Sequence, residues 1–326
     1  MFRVRDFIEI PDGLVFSVIS NLHPPRGVLS QLRFVRGRGG LRKVPTSEEA
    51  HRFLQDNKPC YLQYCRELDA EVTVVPFSEI SRHYQPGPVL SEIMRGGNDP
   101  DILAIVTALM SRSGIGLEDI GITGSYLLGA QSTSSDIDLV FYGLENYQQV
   151  KRAFLECLEE DIFSQPSNED WKEIYIKRKL DPNTYTLQEF VWHETRKHNR
   201  GKFGKRRFDI LFARKKQEIE GAFGDCSFKR LGMVDARCTV FDAGLSFDYP
   251  ARYKVRDCCL GDREVSEVVS FTHTFVEQAR AGESVLCRGI LESVSGPRDH
   301  FRILVGTSRE APGEFIKVFS KKGQGQ

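Results

Sequence analysis

Two aspartates two residues apart, Asp136 and Asp138, stand in a run that is otherwise apolar: Ile137, then Leu139-Val140-Phe141. In a strand, residues i and i+2 share a face, so both carboxylates point the same way. Two such charges about 4 Å apart repel by roughly 4 kcal/mol at an effective dielectric near 20. A hard dication with oxygen ligands, magnesium first, resolves that conflict. Eleven residues before Asp136 lies Gly124-Ser125. Glycine lets backbone approach a ligand closely. A serine where a strand hands over to a helix adds a hydroxyl to free N–H groups that favour phosphate. A phosphate grip just ahead of a magnesium site describes a seat for a metal-bound triphosphate.

These residues need positioning elements. Ile120 to Thr123 is expected as a short strand entering Gly124-Ser125, with a helix leaving over Ser125 to Leu128. Ile137 to Phe141 is expected as a buried strand. Helices are expected over Ile102 to Met110, Tyr147 to Leu158, Asp170 to Leu180 and Thr186 to His198, and an apolar strand over Phe208 to Phe212. Upstream, Phe7 to Ile10 and Leu14 to Ile19 flank the turn Pro11-Asp12-Gly13 as a hairpin. Further strands are expected at Leu32 to Val35 and Val72 to Val75, and a helix at Ser47 to Leu54 capped by Thr46. Pro86-Gly87-Pro88 and Gly96 to Pro100 bracket a boundary. Beyond residue 220 short strand-like runs recur, at Cys238 to Phe241, Tyr253 to Val255, Val268 to Phe271, Ser284 to Leu291, Phe301 to Val305 and Phe315 to Val318. That texture suits a small β-barrel or sandwich, OB-like among the options. The tail, 320–326, reads as biased and disordered.

Gly-Ser, a ten-residue gap, then Asp-x-Asp flanked by apolar residues resembles the DNA polymerase beta nucleotidyltransferase superfamily. The motif covers 120–142, and the wider chain is similar to a mostly archaeal family of predicted nucleotidyltransferases. The resemblance implies an α+β fold: a polymerase-beta-like core, a mixed sheet with flanking helices, at 98–220. It would lie between an N-terminal strand-rich α/β unit at 1–97 and a C-terminal β-rich domain at 221–326. It also implies a third carboxylate on a later strand, and Asp209, alone in Arg207-Phe208-Asp209-Ile210-Leu211-Phe212, fits. Asp136, Asp138 and Asp209 would then be catalytic and would hold two magnesium ions. Gly124 and Ser125 would bind the nucleoside triphosphate, ATP or another. The implied reaction moves a nucleoside monophosphate to a hydroxyl, RNA or tRNA being the favoured acceptor. The alternatives are a non-catalytic nucleotide- or RNA-binding protein and an AMPylating regulator of a partner protein.

One departure from the superfamily pattern stands out. Many members carry a basic residue just after Gly-Ser, whereas this chain has Tyr126-Leu127-Leu128. Triphosphate charge must be met elsewhere, and 196–216 offers ten Lys or Arg, with Lys205, Arg206 and Arg207 nearest Asp209. Lys205 and Arg207 are therefore candidate nucleotide contacts. The plainer role for Asp209 is an ion pair, for instance with Arg207. A second basic segment, Arg33 to Lys43, reads better as a glycine-rich hairpin tip than as an RNA contact.

The remaining features bound the class. Lys+Arg and Asp+Glu both total 45, so net charge says nothing about partners. The start, MFRVRDFIEI, lacks the apolar core of a signal peptide, and no stretch approaches the roughly 18 apolar residues of a membrane span. A cytoplasmic protein with no membrane partner is the expectation. The eight cysteines contain no C-x-x-C, which argues against zinc and for reduced, mostly buried thiols. His193 and His198, five apart, are expected on the surface.

Overall fold

A computed structural model describes residues 1–132 and 135–319. The tail at 320–326 and residues 133–134, inside the interval between the two motifs, lie outside the described residues. The chain is a mixed α+β protein with three principal sheets.

The first sheet is built from β1 (Phe7–Glu9), β2 (Leu14–Val18), β3 (Gly27–Gly37), β4 (Gly40–Lys43), β5 (Leu62–Cys65), β6 (Ala70–Pro76) and β7 (Arg82–Tyr84), with α1 (Ser47–Asn57) against it. Its order is β5-β6-β3-β2-β1-β7, with β4 paired to β3. The expected hairpin is present, Phe7 opposite Ser17. Thr46 caps α1 through its side chain. Arg33 to Lys43 is indeed a hairpin, closed where Gly37 pairs Gly40.

Pro86-Gly87-Pro88, expected as a boundary, instead opens a helix, α2 (Pro86–Gly96). Proline is tolerated in a first helical turn because the N–H it lacks would have no partner there. Leu90 of α2 joins the core under Ile120 and Ile122.

The second sheet carries the candidate motifs. After α3 (Pro100–Ser113) come β8 (Ile120–Thr123), α4 (Gly124–Leu127) and β9 (Ile137–Tyr142). Helices α5 (Leu144–Glu159), α6 (Asn168–Arg178) and α7 (Leu187–Lys197) then cross over to β10 (Arg200–Phe203) and β11 (Arg206–Ala213). The order is β10-β11-β9-β8, with β9 and β11 parallel and the outer pairs antiparallel. Ile137, Leu139, Phe141, Phe208, Ile210 and Phe212 bury one face of the sheet against the helices. The other face carries the charged residues at one end and a small apolar cluster, Val140, Tyr142 and Ala213, at the other.

The third sheet comprises β12 (Ser227–Leu245), β13 (Ala251–Arg256), β14 (Cys259–Leu260), β15 (Arg263–Ser270), β16 (Ser284–Ser295), β17 (His300–Val305) and β18 (Phe315–Val318). Only the end of β12 is visible in the sequence pattern, because 227–237 is largely exposed and lacks apolar alternation. This strand pairs with β16 over its first part and with β13 over its second. Five strands thereby close a ring, β12-β13-β15-β17-β16 and back to β12, with β15 and β17 parallel. Alternating burial along β13 fills the interior. The barrel and the second sheet share one core, in which Phe247 stacks on Tyr147 at 4.7 Å and meets Phe212 edge-on at 5.0 Å.

His193 is not on the surface: it is 3% exposed. Its Nδ1 faces the Glu189 carbonyl at 2.7 Å, and its Nε2 accepts the Val318 N–H at 3.1 Å. Both contacts suit the neutral ring. Burial first, then the cations of Lys197 and Arg196, hold its pKa down at about 4. A histidine whose pKa falls on folding supports the fold fully above its ordinary 6.5, and that support drains as pH drops towards 4. The loss is expected to be ~3 kcal/mol over that window. Urea midpoints at pH 7 and 4.5 check it: His193→Gln should lose markedly less stability between them than the parent, and equal losses would refute it. All eight cysteines are free, with Cys157, Cys238, Cys258 and Cys287 buried. Among the described residues no helix is long and apolar enough to cross a membrane.

Candidate functional site

Register across the second sheet assembles the site. Thr123 pairs with Asp138, Asp138 with Asp209, and Asp209 with Arg200, so one row crosses all four strands. Neighbours in such a row sit about 5 Å apart on one face. Asp136 precedes β9 and shares the face of Asp138 by alternation. The parallel pairing of β9 with β11 thus brings together two acids 71 residues apart in the chain.

Each carboxylate has a different environment. Asp209, 16% exposed, is gripped by both arms of Arg200, at 2.5 and 2.6 Å. Its ion-pair partner is Arg200 rather than Arg207. Asp136, 38% exposed, receives Arg207 Nε at 2.8 Å. Asp138 accepts no hydrogen bond and no ion pair among the described residues. Burial, then Asp209, then Asp136, push its carboxyl up to about 7. Burial works against charge on Arg200, but Asp209 and Glu194 outweigh it and keep the guanidinium firmly protonated.

Gly124 lies against this carboxylate. Its φ is +67°, a left-handed conformation, and a Cβ there would stand 2.3 Å from Asp138 Oδ2. Both facts demand glycine. Gly124→Ala is expected to cost ~2–3 kcal/mol, strain and overlap combined. Thermal melts check it, and an unchanged midpoint would show that the turn relaxes freely. Ser125 is half-buried, and its hydroxyl makes no hydrogen bond among the described residues. The helix expected after it is a single turn, α4, too short to sum a macrodipole. The apolar residues of that turn have a structural cause. Leu127 and Leu128 pack on Phe7, Val15 and Phe34 of the first sheet.

The basic run 196–216 is spent mostly on internal pairs. Arg196 meets Glu283, Lys197 meets Glu194, and Lys202 meets Asp170. Arg206 turns to Asp99 and Asp101, Arg214 to Asp248, and Lys215 to Asp119. Arg207 spans Asp136, Asp170 and Glu173. Lys205 is exposed at the tip of the β10–β11 hairpin, four residues from Asp209, or roughly 13 Å along the strand. The structure therefore brings Gly124, Ser125, Asp136, Asp138, Asp209 and Arg207 together and leaves Lys205 outside.

Two cations that sequence reasoning passed over, Arg5 and Arg178, lie within electrostatic range of Asp138 and Asp209. Arg5 sits in left-handed backbone at φ 84°, and its carbonyl accepts the Thr123 hydroxyl at 2.8 Å. Arg178 ends α6 with no hydrogen bond or ion pair among the described residues. No local spacing ties either to the motif, so only the tertiary fold reveals them.

The donor chemistry suits a hard cation: three carboxylates, of which Asp138 has no partner among the described residues and has its charge opposed first by burial, then by Asp209 and Asp136. Among the described residues no three His, Cys, Asp or Glu side chains form a ready-made metal cage. Asp136 and Asp209 are turned to their arginines instead.

No family model matches the sequence. No solved structure matches it. The uncharacterized protein MJ1086 of Methanocaldococcus jannaschii is 34% identical over a 340-residue alignment spanning 97% of this chain and 98% of that protein. The alignment spans nearly the full length of both proteins, and this chain belongs to the same family as that archaeal protein.

Proposed function

We propose that the chain is a nucleotidyltransferase with a polymerase-beta-like core, moving a nucleoside monophosphate from a nucleoside triphosphate to a hydroxyl acceptor. The observation that carries this reading is the register that sets Asp138 beside Asp209, with Gly124 pressed against the same carboxylate. A fold does not keep a half-buried carboxylate unpartnered between two others without a reason outside the chain.

In the reaction the acceptor oxygen bonds to the α-phosphorus. The bond from that phosphorus to the bridging oxygen breaks, and pyrophosphate leaves with the electron pair. Asp136, Asp138 and Asp209 are the residues that would hold magnesium, which when bound neutralises phosphate charge and activates the hydroxyl. Ser125 offers a free hydroxyl to phosphate beside Gly124. Arg207 orients Asp136 and, through Asp170 and Glu173, ties it to α6. Asp209 can take the hydroxyl proton only after its pair with Arg200 opens.

The closing order of the barrel, first-second-third-fifth-fourth-first, supports an OB-like reading of 221–326. That in turn favours RNA as the acceptor by analogy of fold. The test incubates each labelled nucleoside triphosphate with magnesium, total RNA and total protein. Labelled RNA is expected. Labelled protein would transfer the reading to an AMPylating regulator, and no label with any of the four nucleotides would overturn catalysis.

A further inference from the structure

We propose that Arg5, Arg33, Lys43 and Arg178 form a polyphosphate-binding recess that holds the triphosphate of the nucleotide opposite Asp138. The inference rests on the nucleotidyltransferase reading and assigns the charge partners that the basic run does not supply. Eight of the ten cations at 196–216 are already paired with carboxylates. By contrast, none of these four has an ion pair among the described residues. They come from distant parts of the chain: the segment before β1, β3, β4 and the end of α6.

The fold gathers them deliberately. Arg5 is fixed at both ends: its carbonyl accepts from Thr123, Nε donates to the Phe212 carbonyl at 3.3 Å, and Nη1 meets His273 Nε2 at 2.6 Å. Thr123 immediately precedes Gly124 and pairs with Asp138. A non-glycine residue held in left-handed backbone persists only where its surroundings over-determine it. His273 is kept neutral by burial and then by the cations around it, so it can accept from Arg5. Arg33 lies beside Phe34, which packs on Leu127 and Leu128 of the Gly-Ser turn, and its buried Nε has no partner. The connection from β4 to α1 clasps the barrel: Arg309 N–H donates to Ser47 Oγ at 3.2 Å, and Ser47 N–H donates to Glu310 Oε2 at 3.1 Å. The first sheet and the barrel are thereby joined at Ser47, and Arg309 and Glu310 both act electrostatically on Arg33.

Charge balance then asks for an anion. Asp138 acts on all four cations. Glu310 also acts on Arg33, and Glu194 and Asp209 on Arg178, but these carboxylates already hold cations of their own, Arg309, Lys197 and Arg200 in turn, which leaves Asp138 as the one without an ion pair among the described residues. Burial leads the causes that hold each of the four below the ordinary pKa of its kind, and it costs most for a cation with no counter-charge. A linear polyphosphate supplies several charges along one line and accepts bidentate arginine contacts.

Binding of inorganic tripolyphosphate to the full chain in EDTA tests this by calorimetry. Wild type is expected to bind it well above orthophosphate. Arg33→Met and Arg178→Met should each weaken it about tenfold, the worth of one charge-assisted contact, and Lys43→Met somewhat less. Arg256→Met, on the outer face of the barrel, should bind as wild type. Far- and near-ultraviolet dichroism identical to wild type establishes that the variants fold. Absent tripolyphosphate binding, or Arg33→Met and Arg178→Met proteins that bind as wild type, would overturn the recess. So would displacement of tripolyphosphate by single-stranded RNA with hydroxyl ends, since the cations would then form a nucleic-acid channel. Arginine-dependent binding in a protein that transfers no label supports the recess and overturns the catalytic reading.

Discussion

Asp138→Asn is expected to lower label transfer by about a thousandfold while making the protein more stable. The two effects share one cause. Asp138 carries a carboxylate that burial, Asp209 and Asp136 all disfavour. A carboxyl whose pKa rises on folding costs the fold nothing below its ordinary 3.8. The cost grows with pH up to about 7 and is level beyond. A rise of that size corresponds to ~4 kcal/mol as an upper bound, and ~1–3 kcal/mol is expected once the neighbouring acids readjust. Asparagine keeps the shape and removes the charge. Urea midpoints in EDTA at pH 8 and pH 5 should therefore show the variant above the parent at pH 8 and close to it at pH 5. A variant less stable than the parent at pH 8 would mean that Asp138 is structurally required as an anion. Full transfer activity in the same variant would remove it from the chemistry.

The acidic row is partly legible in the amino-acid sequence, and the reason is physical. Strand alternation is local, so Asp136 and Asp138 on one face follow from two residues of spacing. Gly124 is legible because glycine before a serine at a strand end has few other uses. Asp209 needs the resemblance, since a parallel partner 71 residues away leaves no local trace; the register then pairs it with Asp138. The charge partners are the least legible. A dense basic run attracts attention, but density does not say which cations are free. Arg206 and Lys215 look available in sequence and are paired in the fold, while Arg178 looks ordinary and has no partner among the described residues.

The fold divides along the same line. Elements with a strong local period, such as α5, α7 and β11, fall within a few residues of where the sequence places them. The misses have tertiary causes. In α2 two prolines and a glycine open a helix because Leu90 packs under β8. In β12 an exposed half is held as strand by β16 and by the Phe228 and Arg230 N–H groups, which donate to the Glu67 carbonyl and the Asp69 carboxylate. His193 sits next to charged residues in sequence, yet α7 turns its ring into the junction with β18.

The same row makes Arg200 the residue whose loss should hurt the fold most. Arg200→Met is expected to cost ~3–5 kcal/mol, the penalty for leaving a buried carboxylate without its partner. Arg200 is 10% exposed and Asp209 16%, so water cannot take over the arginine's role. The freed Asp209 also lies beside Asp138, so two uncompensated charges would share one strand pair. Asp209→Asn alone should cost less, because Arg200 keeps Glu194 at 3.7 Å. In the double variant the penalties should fall short of their sum by ~2 kcal/mol or more, since the asparagine removes the charge that the first change exposes. Additive penalties in a urea double-mutant cycle would show that the pair is not what holds Asp209. Magnesium separates structure from function here. If Asp138 and Asp209 are cation ligands, opening the arginine clamp leaves both free to bind. Magnesium should then raise the midpoint of Arg200→Met more than that of wild type, and leave Arg200→Met with Asp209→Asn nearly unmoved. Equal magnesium shifts in all three proteins would place the ion elsewhere and leave the acidic row as a structural feature alone.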